Sequence, residues 1–318
     1  MEIRVLVTPR SFALTSPEPV HMLEEAGYQV LRLERPADGT ITATMMAEAI
    51  KDVQAIIIGI EPLNRAVLEH AQDLRLISKY GVGMDNIDIE TARSRGIALG
   101  WTPGANSNAV AELTLGLMFA LARRIPQADQ ALHAGHFERV RGIELHGHVL
   151  GVIGLGRIGA RVAQAASCLG MQVLAYDPFL TQSPSSEVNL VDLGQLLKYA
   201  DVISLHLPLT EQSRHMIDAQ ALNAMKPGAL LINTARGGIV DEQALYEAIQ
   251  SGKLGGAAID CFGQEPATDS PLLHLRQVIG TPHIASHTQE ASEAMGRMAA
   301  ENVVAGLKGR PLPYPYEG

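Results

Sequence analysis

Apolar, largely β-branched runs alternate with stretches of helical period from the first residues onward. Residues 3–7, 29–33, 55–58, 74–78 and 97–100 have the short, Val/Ile/Leu-rich pattern of buried strands. Residues 20–26, 44–51, 64–71 and 89–95 between them have the spacing of amphipathic helices, and the last of these stops at Gly96. Strand–helix alternation of this kind specifies βαβ units, hence a parallel sheet with helices on both faces. The first hundred residues therefore predict a flavodoxin-like domain.

Asn106 or Ser107 caps a long helix running to about Arg124. A more polar stretch follows, and a second strand–helix series begins at Val149 and runs to about Ile284. A last helix, 289–308, has no strand after it and is expected to return to the first domain, while Pro311 to Pro315 reads as a plain tail. At 318 residues the chain suits two domains. The expected division is 1–100, then 101–285 as a nucleotide-binding domain, then 286–318 as a helix rejoining the first. The fold class is α/β, two doubly wound parallel-sheet domains, one of Rossmann type inserted into one of flavodoxin type.

Composition narrows the partners. A net charge of −9 argues against sequence-independent nucleic-acid binding, which requires clustered Lys and Arg. The longest apolar run, 113–122, is far below the roughly 18 residues that span a bilayer. The N-terminal run carries Glu2 and Arg4 and lacks a signal-peptide core, so no membrane association and a cytoplasmic location are expected. Cys168 and Cys261 have no metal-ligand spacing and read as packing residues in a reducing compartment. His133, His136, His146 and His148 lack acidic or thiol partners at ligand spacing, so no metal is expected.

Candidate chemistry starts where strand 149–153 runs into Gly154-Leu-Gly156-Arg-Ile-Gly159. Here Gly154 permits the tight turn, Gly156 lets a pyrophosphate approach the backbone, and Gly159 lets helix and sheet pack closely. The phosphates then meet free amides at a helix N-terminus. Asp177 ends the next strand, 23 residues beyond Gly154, where a carboxylate accepts hydrogen bonds from both ribose hydroxyls of adenosine. It would repel a 2′-phosphate, and no Arg stands beside it, which favours NAD over NADP.

Three later strands each end in ionisable residues: Arg236 after 230–234, Asp260 and then Glu265 after 256–259, and His283 after 278–281. Reduction of a 2-oxo acid requires a cation for the carboxylate, a proton donor at the carbonyl and a group that keeps the donor charged. Arg236, His283 and Glu265 match those three demands.

With these motifs in place, the chain resembles the D-isomer-specific 2-hydroxyacid dehydrogenase family, which includes phosphoglycerate dehydrogenases and glyoxylate/hydroxypyruvate reductases. The likeness covers nearly the whole chain: SKYGVGMDNID at 78–88, TPGANSNAVAE at 102–112, GVIGLGRIG at 151–159, SLHLPLT at 204–210, INTARGGIVDEQAL at 232–245, IDCFGQEP at 259–266 and TPHIA at 281–285. It implies a substrate domain made from both chain ends, a central NAD domain, a cleft that closes on a small 2-oxo or 2-hydroxy acid, and a homodimer. By resemblance Arg236, Glu265 and His283 are catalytic. Arg157 and Ile158 join the pyrophosphate contacts, Pro208 and Thr210 lie along the cofactor, Thr234 and Ala235 line the nicotinamide, and Asp260 receives its carboxamide. Tyr80, Val82 and Gly83 belong to a loop offering amides to the substrate carboxylate. Where many relatives carry glycine, this chain has Ala285-Ser286-His287, which puts a second imidazole nearby. Two other readings stay open: a phosphoglycerate dehydrogenase within the family, and a NAD-sensing co-repressor with little turnover.

Overall fold

The computed structural model describes residues 2–36 and 41–317, which form two compact units. Unit 1 takes residues 1–106 and 287–318; unit 2 takes 107–286.

In unit 1 the order is β1 (Ile3–Val7), α1 (Glu18–Glu25), β2 (Tyr28–Arg32), α2 (Ala43–Ala49), β3 (Ala55–Ile58), α3 (Arg65–Leu68), β4 (Leu76–Lys79), α4 (Ile89–Ser94) and β5 (Ala98–Gly100). All five strands are parallel, in the order β2-β1-β3-β4-β5, which is the flavodoxin-like arrangement. Every residue of β3 and β4 is buried, as a sheet covered on both faces demands. The N-termini of α2, α3 and α4 are capped by the side chains of Thr42, Asn64 and Asp88.

Unit 2 begins with α5 (Ser107–Arg123) and α6 (Ile125–His133). There follow β6 (Val149–Ile153), α7 (Arg157–Cys168), β7 (Gln172–Tyr176), β8 (Val188–Leu190), α8 (Leu193–Tyr199), β9 (Val202–Leu205), α9 (Ala219–Ala224), β10 (Ala229–Asn233), α10 (Glu242–Gln250), β11 (Leu254–Ile259) and β12 (Val278–Gly280). The sheet runs β12-β11-β10-β9-β6-β7-β8, so chain order reverses between β6 and β9. That reversal is the switch point at which doubly wound folds bind nucleotides. The final helix, α11 (Gln289–Leu307), belongs to unit 1, where it packs on α1, β3 and β4.

Two sequence expectations need correction, and one helix lies where the sequence showed only a polar stretch. The polar stretch after Arg124 contains α6, a helix with no buried residue. Its apolar side chains Ile125 and Leu132 face solvent, and so does the neighbouring Phe137, at 83% exposure. A core-seeking pattern was therefore missing from that stretch, and periodicity did not reveal the helix. The Pro-rich tail is paired rather than loose. Gly100 bridges Pro315, Tyr316 N donates to Leu99 O at 2.8 Å and Trp101 N to Tyr314 O at 3.1 Å. These bonds satisfy the open edge of β5. Cys168 is exposed, not packed, at the end of α7.

Candidate active site

The turn between β6 and α7 explains each of its glycines differently. Gly154 has φ +92°, and a Cβ there would lie 2.6 Å from His206 O. A Cβ on Gly159 would sit 1.9 Å from Gly154 O, closer than any side chain tolerates. On Gly156 a Cβ meets no protein atom within 4 Å. Protein packing therefore does not demand glycine at 156, and close approach of an external group is the remaining reason for it. Arg157 and Ile158 open α7, so their amides are among the four that a helix leaves unbonded at its start. Asp177 closes the loop from below: Oδ2 accepts from Leu155 N at 2.9 Å and Oδ1 from Phe179 N at 3.0 Å. A carboxylate has about four acceptor positions, so two remain for hydroxyl donors. This donor and acceptor set fits a dinucleotide.

Pro208 and Thr210 lie in the segment after β9. Ser213 Oγ fastens that segment, donating to Pro208 O at 2.7 Å and accepting from Thr210 N at 2.8 Å. Thr234 and Ala235 follow β10 and are buried, and the Thr234 hydroxyl pairs with Thr114 Oγ1 on α5 at 2.7 Å.

Arg236 comes next. Asn233 shapes its turn, donating from Nδ2 to Arg236 O at 2.9 Å and accepting Ala235 N at 3.1 Å. Gly237 presses on the following loop so closely that a Cβ would lie 2.0 Å from the Phe262 carbonyl carbon. The Arg236 turn and the 261–265 loop are thus held against each other by backbone contact.

The two remaining candidates meet directly. His283 Nδ1 stands 2.9 Å from Glu265 Oε2 and 3.1 Å from Oε1, and Phe262 N donates to Glu265 Oε1 at 3.1 Å. Burial works against ionisation of Glu265, but the hydrogen bond and charge of His283, with help from Arg236, outweigh it and hold the carboxyl below its ordinary range. Contact with the Cys261 sulfur and then with the Glu265 carboxylate raises His283 to about 10, against the opposing effect of burial. Arg236, Glu265 and His283 therefore belong to one electrostatic cluster, the imidazole protonated at neutral pH.

Asp260 is fully buried, at 0% exposure. Its Oδ1 accepts from Thr281 Oγ1 at 2.6 Å and Ile284 N at 2.9 Å, and its Oδ2 accepts from Ala285 N at 3.0 Å. Between those donors His283 adopts left-handed backbone, φ +52°, which costs of order 1–3 kcal/mol for a residue with a Cβ. Asp260 offsets that strain by holding the chain on both sides of His283, at Thr281 and at Ile284 and Ala285. Sequence reasoning assigned Asp260 only along the cofactor; this second task was hidden because its donors lie more than twenty residues later.

In unit 1, the loop after β4 is partly committed within the unit. Tyr80 N donates to Ile58 O at 2.8 Å and Gly81 N to Thr102 Oγ1 at 3.0 Å. The Tyr80 hydroxyl donates to Ser292 O at 3.2 Å and accepts from Ser11. Lys79 is buried, its Nζ donating to Asn86 Oδ1 at 2.6 Å, and Glu61 is buried against Arg35 and the Thr8 hydroxyl. His287, flagged beside the nicotinamide end, is exposed.

Comparison with known proteins identifies the family. Residues 115–285 match the NAD binding domain of the D-isomer specific 2-hydroxyacid dehydrogenases. A D-3-phosphoglycerate dehydrogenase of Methanocaldococcus jannaschii is 43% identical over 96% of the chain, which spans only 58% of that relative's length. A hydroxypyruvate reductase of Thermotoga maritima is 44% identical over 76% of the chain and is covered over 80% of its own. Among solved structures, the D-lactate dehydrogenase of Aquifex aeolicus complexed with NAD and lactic acid superposes with a TM-score of 0.85 at 31% identity, over 96% of each chain.

Proposed function

Because the chain belongs to the D-isomer specific 2-hydroxyacid dehydrogenase family, we propose that it moves hydride between NAD(H) and C2 of a small 2-oxo or D-2-hydroxy acid. The nicotinamide, when bound, supplies or accepts the hydride. The chain's own residues do the rest. Arg236 holds the acid's carboxylate and stabilises negative charge gathering on the C2 oxygen. His283 delivers a proton to that oxygen during reduction and removes it during oxidation. Glu265 keeps the imidazole charged and oriented. The observation that carries this reading is the 2.9 Å Glu265–His283 contact inside a cluster that also includes Arg236.

Gly154, Gly156 and Gly159, with the amides of Arg157 and Ile158, are assigned to the pyrophosphate, and Asp177 to the adenosine ribose, which selects NAD. Pro208 and Thr210 are assigned along the cofactor and Thr234 and Ala235 to the nicotinamide. Asp260 has one acceptor position left for the carboxamide beside its clamp on His283. In unit 1 the amides of Val82 and Gly83 are the part of the 80–83 loop assigned to a carboxylate, since those of Tyr80 and Gly81 are bonded elsewhere. A phosphorylated tail is disfavoured, because Lys79 is buried on Asn86 and Glu61 on Arg35. Glyoxylate or hydroxypyruvate suits this loop better.

The test is the loss of NADH absorbance with saturating glyoxylate, hydroxypyruvate and 3-phosphohydroxypyruvate. Turnover fastest with one of the first two is expected. Tight NADH binding without oxidation by any 2-oxo acid would instead identify a NAD sensor.

The pH profile follows from the two shifts. Reduction needs imidazolium, so wild-type kcat should be flat through neutrality and fall only as pH climbs toward the raised value of about 10. In Glu265→Gln the fall should begin at lower pH, because one of the two contacts that raise His283 is gone. A profile unchanged from wild type would remove Glu265 from this role.

A homodimer is proposed through the α6 region, whose exposed Ile125, Leu132 and Phe137 are costly to leave in water. Light scattering should show two copies for the wild type and one for Leu132→Asp with Phe137→Asp. Among the described residues no helix is long and apolar enough to cross a membrane. Both cysteines are free, which suits the reducing cytoplasm.

A further inference from the structure

In the proposed acid–base chemistry Cys261 only helps hold the His283 proton, and it meets neither substrate nor cofactor. Its side chain is 2% exposed, and one ligating atom from each of Cys261, Glu265 and His283 lies within 4.8 Å of the other two. The trio offers a sulfur, a nitrogen and an oxygen, a set suited to a borderline-soft divalent ion and poorly suited to magnesium or calcium. Around tetrahedral zinc, such donors stand roughly 3.3–3.7 Å apart, so side-chain rotations of about an ångström complete the set. Glu265 and His283 keep about 30% and 29% of their side chains accessible, which opens a way in from solvent, while the buried sulfur forms the floor. Asp260 adds rigidity from behind by fixing the 281–285 backbone, as the surroundings of a metal ligand commonly do. Sequence spacing concealed the set, because its third donor lies 18 residues beyond the second.

We propose that Cys261, Glu265 and His283 form an inhibitory site for Zn2+ or a cation of like chemistry, an inference whose inhibitory part rests on His283 being the proton donor. On binding, the imidazolium and the thiol each release one proton to solvent, bonds form from the ion to nitrogen, sulfur and carboxylate oxygen, and the Glu265–His283 hydrogen bond is lost. No electron is transferred. Three protein ligands leave the fourth position to water. With its ring nitrogen held by the ion, His283 no longer delivers a proton to substrate.

Co2+ is the direct probe, because a cysteine thiolate on tetrahedral cobalt gives a near-ultraviolet charge-transfer band. The full chain, without cofactor or substrate, should show this band at one ion per chain and lose it on addition of Zn2+. The band should persist in Cys168→Ser and disappear in Cys261→Ala. His283→Ala should weaken cobalt binding at least about tenfold, as loss of one of three ligands requires. In a parallel assay, Zn2+ should inhibit NADH-dependent reduction, and the activity remaining in Cys261→Ala should resist it at least about tenfold better. Absence of the band in wild type, or a band that survives Cys261→Ala and vanishes in Cys168→Ser, overturns the site. A band present in a chain that oxidises no NADH would keep the metal site and refute the dehydrogenase reading, so the two failures are distinct.

Discussion

Replacing His283 with alanine should lower kcat for reduction by about 10²–10⁴-fold, the usual contribution of a positioned proton donor. NADH affinity, read by fluorescence titration, should stay near wild type. The reason is spatial: the imidazole is tied to Glu265 and, through its backbone, to Asp260, whereas the dinucleotide turn is built from Gly154 to Gly159 and Asp177. Its pH dependence should change as well. With the titrating donor gone, the residual rate should lose the alkaline fall predicted for wild type. A variant that keeps more than a tenth of wild-type kcat would show that another group donates the proton.

Replacing Arg236 with alanine should damage substrate binding and turnover together, by about 10²–10³-fold in kcat and further in kcat/KM. The guanidinium has two tasks in the proposed reaction, holding a carboxylate and meeting charge as it develops on the carbonyl oxygen. Lysine should recover little, because an ammonium lacks the planar fork that serves both. A third effect separates this side chain from a surface charge. Arg236 helps hold the Glu265 carboxyl below its ordinary range, so its loss should move any acid-side fall of the residual activity to higher pH and leave the alkaline fall of His283 in place. Steady-state kinetics of Arg236→Ala and Arg236→Lys across pH will check this. A rise in KM with kcat intact would confine Arg236 to binding.

The parts of this protein that depend on neighbours in sequence were legible before any coordinates. Strand, turn and helix at 149–168 are contiguous, so three glycines and a following carboxylate carried their meaning in their spacing. The placement of Arg236, Glu265 and His283 in the loops after successive strands was legible in the same way. What stayed hidden depends on contacts between distant segments. The clamp of Asp260 on the His283 loop, the contact of Cys261 with the imidazole and the pairing of the tail with β5 all join residues far apart in the chain. Helix α6 was hidden for a different reason: its apolar residues face outward, so it lacks the buried stripe that marks a helix in a sequence.

The pairing of residues 314–316 along β5 has a practical side. A sheet border with unclaimed amides and carbonyls recruits other chains, and here the last few residues act as its selvedge, with Trp101 and Tyr316 rings meeting edge to face, 5.6 Å apart, as the stitch. Trimming those residues would unhem the border and invite sticking between molecules, while leaving the chemistry in unit 2 untouched.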